Sequence, residues 1–166
     1  MANRYDHITS EQSLLISNTP MFFVATAHPD GQAGPLGEGP VNVSPKGDSR
    51  LTVLDEHRVA YVDFTGSGNQ TALHTAAGSS MTIMVCSFEE ENAGIVRLFG
   101  TGSVHDLASY PDLDSIKGGV AGEIALPERQ VIEMTMTHTI TSCGYGVPVA
   151  DGFRPRTRND RGRAYK

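Results

Sequence analysis

The sequence predicts a mainly β (α+β) domain: one antiparallel sheet with a few short helices, closing on itself as a small barrel. Three observations predict it. Six or seven short runs rich in apolar and β-branched residues recur along the 166 residues. Turn residues (Gly, Pro, Asn, Asp) separate most of them. Helical stretches between them are too few to serve as parallel crossovers, so consecutive strands pair antiparallel. Closure is expected because a barrel removes exposed edges.

Each element has its own signal. Thr9-Ser10-Glu11-Gln12 opens a helix, with Thr9 or Ser10 as cap and Leu14-Leu15 beginning an apolar stripe. That helix ends before Pro20. Residues 21–27 read as a strand, and Pro29-Asp30-Gly31 as a turn. The Gly- and Pro-rich stretch 34–40 is a loop. Val41-Asn42-Val43-Ser44 is a strand expected to stop at Pro45, which has no N–H to donate. Short strands follow at 51–54 and 59–64, and a short helix at 72–77. Residues 81–88 and 95–104 form a hairpin through the polar loop Glu89-Glu90-Glu91-Asn92-Ala93-Gly94. A helical turn is expected near 113–117, stopped by Gly118-Gly119. Residues 130–141 give the cleanest alternation: Ile132, Met134, Met136 and Ile140 face inward with His138 among them, while Thr135, Thr137 and Thr139 face water or a partner.

Length and composition bound the rest. At 166 residues the chain fits one domain, expected over 1–150, followed by a basic tail at 151–166. The net charge of −6 is unevenly spread. Residues 1–150 hold 7 Lys/Arg against 17 Asp/Glu, a net −10, and residues 151–166 hold 6 against 2, a net +4. An acidic body argues against nucleic acid as a partner. The tail reads as a loose arm, a strap onto an acidic protomer or a nucleic-acid arm, and it lacks an aromatic stacking set. No apolar run nears the ~18 residues of a membrane helix. The polar N-terminus carries no signal-peptide core, so a cytoplasmic location is expected. Cys86 and Cys143 are expected to be buried free thiols, and the six scattered His with no CxxC give no metal site.

Chemistry concentrates in Asp63-Phe64-Thr65-Gly66-Ser67-Gly68-Asn69-Gln70-Thr71, a small-residue loop between a strand and a helix start. Such a loop presents free backbone N–H groups and the positive end of a helix dipole, which suits a phosphate. It serves equally well as an ordinary N-cap turn. It is not a P-loop, for no Lys lies between Gly47 and Ser115. Nor is it the dinucleotide GxGxxG, since Thr71 stands where the third Gly belongs.

Five motifs occur together in order: Phe22-Phe23-Val24-Ala25-Thr26-Ala27, Val41-Asn42-Val43-Ser44-Pro45-Lys46-Gly47, the 63–71 loop, Arg97-Leu98-Phe99-Gly100-Thr101-Gly102, and Thr141-Ser142-Cys143-Gly144-Tyr145-Gly146-Val147-Pro148. With them the chain resembles, over most of 8–150, the pyridoxamine 5′-phosphate oxidase-related family of FMN-binding split β-barrel proteins. The resemblance is to a subgroup of mostly unassigned activity. It implies a six-stranded antiparallel split β-barrel, a homodimer, and FMN between protomers. It implies Lys46 as the strand-end Lys, with Ser67 and Asn69 in the phosphate turn. Asp63, Phe64, Thr65, Gly68 and Thr71 of the same loop join the candidate cofactor-binding set, with Arg97 as a further cation. The chain departs from the best-known members: Val41 replaces an Arg, and Gly68-Asn69-Gln70-Thr71 holds no cation. Arg158-Asn159-Asp160-Arg161 lacks the His of their substrate element, so vitamin B6 oxidation does not carry over.

The resulting expectation is an FMN-dependent oxidoreductase acting on a small molecule, with no catalytic residue identified and Tyr145 or Phe64 as candidates to wall the ring. A non-catalytic flavin binder or sensor is the alternative, or a binder of a deazaflavin or haem.

Overall fold

The computed structural model describes residues 2–34, 39–47, 49–66, 68–116 and 127–154. Eight strands form one antiparallel sheet: β1 (Ala2–Tyr5), β2 (Phe22–Ala27), β3 (Val41–Lys46), β4 (Thr52–Val53), β5 (Arg58–Phe64), β6 (Ser80–Cys86), β7 (Gly94–His105) and β8 (Glu128–Cys143). The order is β3-β2-β6-β7-β8-β5-β4, with β1 also pairing β8. The long β8 has β7 along one edge, while β5 and then β1 share the other.

Among the described residues the two ends of this path, β3 and β4, do not pair with each other, yet the sheet curls until β3 and β2 reach β5. The Lys46 ammonium on β3 lies 2.7 Å from Asp63 Oδ1 on β5. The Phe22 and Tyr61 rings meet edge to face at 5.1 Å. Along the sheet four strands separate β3 from β5 and three separate β2 from β5, so these contacts cross the open seam of a split barrel. Inside lies the main core, including Phe22, Val24, Tyr61, Ile83, Val85, Leu98, Ile132 and Met134. Burial of such side chains is worth about 1.5–3 kcal/mol each.

Helix α1 (Ser10–Asn18) is fixed by a capping box between Thr9 and Gln12. Its inward face is Gln12, Leu15 and Ile16, whereas Leu14 is exposed. Gln12 Nε2 donates to both Thr139 Oγ1 and Thr141 Oγ1 at 2.8 Å. On the outer face of β5 and β8 a second cluster, with Ala60, Val62 and Val131, lies beneath Tyr110 and Ile116. A 3₁₀ turn (Leu107–Ser109) and helix α3 (Leu113–Ile116) carry that cover, so β5 is buried on both faces.

Four expectations need correction. Strand β3 runs through Pro45 to Lys46, because it is an edge strand and Pro45 can turn its donor-less side outward. The sheet has eight strands rather than six, the N-terminal β1 being one that periodicity did not reveal. The alternation of β8 breaks at a bulge where Phe99 opposes His138 but Gly100 opposes Met136. Thr139 is therefore buried, and His138 leaves the core face to stack on Phe99 at 4.8 Å. Finally, Cys86 is buried but Cys143, at the end of β8, is exposed.

Near the C-terminal end of the described residues, Ala150 N donates to Phe88 O, and the Phe153 ring packs on Phe88 at 5.0 Å. Of the basic tail residues, those from 155 onward lie outside the described residues, as does the expected glycine stop at 118–119.

Candidate functional site

The site forms where β3, β5 and the start of β8 converge on the loop after β5. Lys46 stands opposite Phe22 across the β2–β3 ladder, which aims its side chain to the inner face. Asp63 shares that face with Tyr61 by strand alternation. The resulting pair is largely enclosed, the Lys46 side chain 22% and the Asp63 side chain 8% exposed. Gln130, directly opposite Asp63 on β8, uses its amide nitrogen to tie the ion pair to the loop. It donates to Asp63 Oδ2 at 2.9 Å and to Asn69 Oδ1 at 3.0 Å.

Arg129, the preceding residue, holds the loop backbone itself. Its Nη1 donates to Gly68 O at 3.2 Å and its Nη2 to Gly66 O at 3.3 Å. Helix α2 (Gln70–Ala76) follows, starting two residues earlier than the sequence pattern suggests, with Asn69 at the cap position but no side-chain cap bond. The Asn69 carboxamide oxygen is occupied by Gln130 instead. Thr71 ties α2 to β3 by accepting from Asn42 Nδ2 at 3.0 Å.

The sequence-predicted residues thus divide. Lys46, Asp63 and Asn69 are gathered through Gln130 into one hydrogen-bonded cluster, while Gly68 belongs to a separate contact, its carbonyl accepting from Arg129. Thr65 is an exposed flank whose N–H donates to Pro127 O. Phe64 turns to the other face, packing against the outer cluster, at a register shift between Asp63 and Phe64. Arg97 pairs with Met84 and lies on the outer face of the sheet, with β2 and β6 between its strand and β3. Its Nη1 reaches Ser142 Oγ at 3.4 Å. Ser67 lies outside the described residues. Tyr145, considered for walling the ring, is 89% exposed. Arg129 and Gln130 were missed: some sixty residues separate them from the loop, and only the β5–β8 register brings them to it.

Lys46 is not a free cation, since Asp63 neutralises it. Its ammonium also lies 5.7 Å from the centre of the Tyr61 ring. Among the described residues the buried Tyr61 hydroxyl has no hydrogen-bond partner, and burial, reinforced by the nearby Asp63 charge, holds its pKa well above the ordinary tyrosine value. Among the described residues Arg129 forms no ion pair. Among the described residues a Cβ built on Gly66 would meet nothing within 4 Å, so they leave open space over that residue.

Known proteins share much of this sequence and its fold. A protein of Aspergillus flavus, the pyridoxamine 5′-phosphate oxidase family protein ustO, is 39% identical over 139 residues, 80% of this chain. The chain belongs to the pyridoxamine 5′-phosphate oxidase-related family. It spans about half, 50%, of the length of that curated relative. No known family's sequence profile matches it. Solved structures share the fold. A candidate pyridoxamine 5′-phosphate oxidase from Lactobacillus delbrueckii matches with a TM-score of 0.58 at 23% identity, covering 81% of this chain and 94% of that one. A Group A Streptococcus HupZ structure gives 0.58 at 19% identity, covering 81% and 99%. An FMN-binding protein from Syntrophomonas wolfei gives 0.53 at 15% identity, covering 80% and 83%. The family's split barrel is therefore the fold of this chain, here drawn as an eight-stranded sheet with an open seam.

Proposed function

We propose that the chain is a flavoprotein that binds FMN at the 63–71 loop and acts as an oxidoreductase on a small molecule. The observation that carries this reading is the loop itself: a Gly-rich turn with open space over Gly66, braced by an Arg129 that forms no ion pair among the described residues. Family membership and an FMN-binding protein of like fold support the cofactor's identity.

The donor set fits a phosphorylated flavin. Asn69 keeps its amide nitrogen, and Thr65 presents an exposed hydroxyl. Lys46 and Asp63 form a nearly neutral pair linked to Asn69 through Gln130, so they shape the site rather than add net charge. FMN, when bound, supplies the hydride and electron chemistry. The chain's residues hold and orient it, and the half-buried Lys46 ammonium sets the polarity of the adjoining barrel interior.

A homodimer belongs to the same reading. On the outer face of the edge strand β3, Val41 is 65% and Val43 62% exposed. Beside them the outer face of β2 carries Phe23 and Ala25, and that of β6 carries Met84. A second copy covering this face would also take in Arg97, which is aligned with Met84. The threonine face of β8 is a weaker candidate, since Thr139 is buried under Gln12. A cytoplasmic setting fits an exposed Cys143 that is not in a disulfide. Among the described residues no helix is long and apolar enough to cross a membrane.

The test is the purified protein reconstituted with FMN. A two-banded flavin spectrum that stays with the protein through gel filtration is expected, with bleaching by NADH or NADPH under nitrogen. Bound flavin that neither nucleotide bleaches would make the chain a binder or sensor. Failure to retain FMN would end the flavin reading and return a deazaflavin or haem to consideration.

A further inference from the structure

The 63–71 loop contains no cation, and the strand-end Lys46 is engaged by Asp63 at 2.7 Å. A phosphate bearing up to two charges therefore needs its countercharge from elsewhere in the fold. Arg129 comes from the start of β8. It uses one N–H of each terminal nitrogen on Gly66 O and Gly68 O, at 3.3 and 3.2 Å. A guanidinium has five N–H donors, so three are left, held in a plane that the two carbonyls fix.

Among the described residues no carboxylate is paired with it. The contrast with Lys46 is physical. Lys46 sits over a carboxylate and cancels it, whereas Arg129 rests on neutral carbonyls and keeps its full charge beside the open space over Gly66. A fixed, preorganised guanidinium is also a better phosphate partner than a mobile ammonium, because less side-chain freedom is lost on binding.

We propose that Arg129 is the phosphate-recognising residue of this site, the group by which it distinguishes a 5′-phosphorylated flavin from the same flavin without its phosphate. The proposal rests on the flavin reading above and goes beyond it by assigning the countercharge to a residue outside the loop. Arg129 thus has two tasks: it shapes the loop through the two carbonyls and attracts the phosphate with its remaining donors.

Titration of FMN and of riboflavin, followed by flavin fluorescence, separates these tasks in the wild type, Arg129→Gln and Arg129→Lys. The wild type is expected to prefer FMN. In Arg129→Gln that preference falls by about tenfold or more while riboflavin binding barely changes. Arg129→Lys recovers part of the preference. Raising salt weakens FMN but not riboflavin binding to the wild type, a readout that survives if Arg129→Gln does not fold. An unchanged FMN-to-riboflavin ratio in Arg129→Gln would overturn the proposal. So would an equal loss of both ligands, which would leave Arg129 only a brace for the loop, or a wild type that does not distinguish them. A wild type that binds neither ligand would instead overturn the flavin reading, and this proposal with it.

Discussion

Replacing Lys46 with Met tests how the barrel seam is held. The perturbation keeps the aliphatic stem and deletes the charge 2.7 Å from Asp63. At that separation two unit charges attract by about 6 kcal/mol at an effective dielectric of about 20. Desolvating the two ions offsets much of this, so the pair adds little net stability over an apolar replacement. Removing only one partner is different. Asp63, its side chain 8% exposed, would be left with Gln130 as its one remaining side-chain partner among the described contacts. Breaking a fully buried pair costs about 3–5 kcal/mol. The 22% exposure of Lys46 and the surviving Gln130 bond lower the expectation to about 2–4 kcal/mol. Adding Asp63→Asn to Lys46→Met deletes the stranded charge and keeps an acceptor for Gln130, and should restore about half of the loss or more. Urea unfolding followed by circular dichroism, compared at equal slope, reads both steps. A loss below about 0.5 kcal/mol for Lys46→Met, or strictly additive effects in the double variant, would refute the view that this pair closes the seam.

Three further outcomes follow from local geometry. Gly100→Ala should destabilise by about 2 kcal/mol or more, or block folding, because a Cβ there strikes Thr135 O and comes within 2.7 Å of Met136 Cα, both β8 backbone; a thermal melt unchanged within error would contradict the bulge geometry. Gln12→Ala removes its three side-chain bonds with Thr139 and Thr141 and half of the capping box, for an expected loss of about 1–3 kcal/mol in chemical denaturation, whereas an exposed neighbour such as Glu11→Ala should cost far less. Burial first, then the 2.7 Å bond from its hydroxyl to Glu133, raise the pKa of Tyr110 above the ordinary tyrosine value. The folded state then holds this proton more tightly than the unfolded one, so the contribution is complete below about pH 10 and fades as pH rises beyond it. Tyr110→Phe should flatten that part of the alkaline stability curve; an unaltered curve would remove Tyr110 from the account.

Much of the fold was legible because local rules and tertiary packing agree along most of the chain. The capping box at Thr9 and Gln12, the strand at 22–27 and the 81–104 hairpin all follow from patterns a few residues long. Misreadings cluster where a distant strand decides. Gly100 allows β7 and β8 to shift register, and that single offset sends Thr139 inward and His138 outward. Pro45 is tolerated because, among the described residues, no strand pairs with the outer edge of β3, a fact about sheet order rather than about Pro45. The site divides in the same way. Its loop was visible as a run of small polar residues, but its charge was not. Whether Lys46 is free or paired, and whether any cation reaches the loop, depends on β5 lying between β4 and β8.

The order of residues by itself determined that this chain forms an antiparallel β domain with a Gly-rich turn ahead of a short helix, because periodicity, capping and turn chemistry act over one or two turns of chain. The tertiary structure alone decided which charges meet there. Lys46 is neutralised across the barrel seam, and Arg129 arrives from β8 some sixty residues away to hold the turn. Electrostatic partnership depends on distance through space, and only the folded sheet sets that distance.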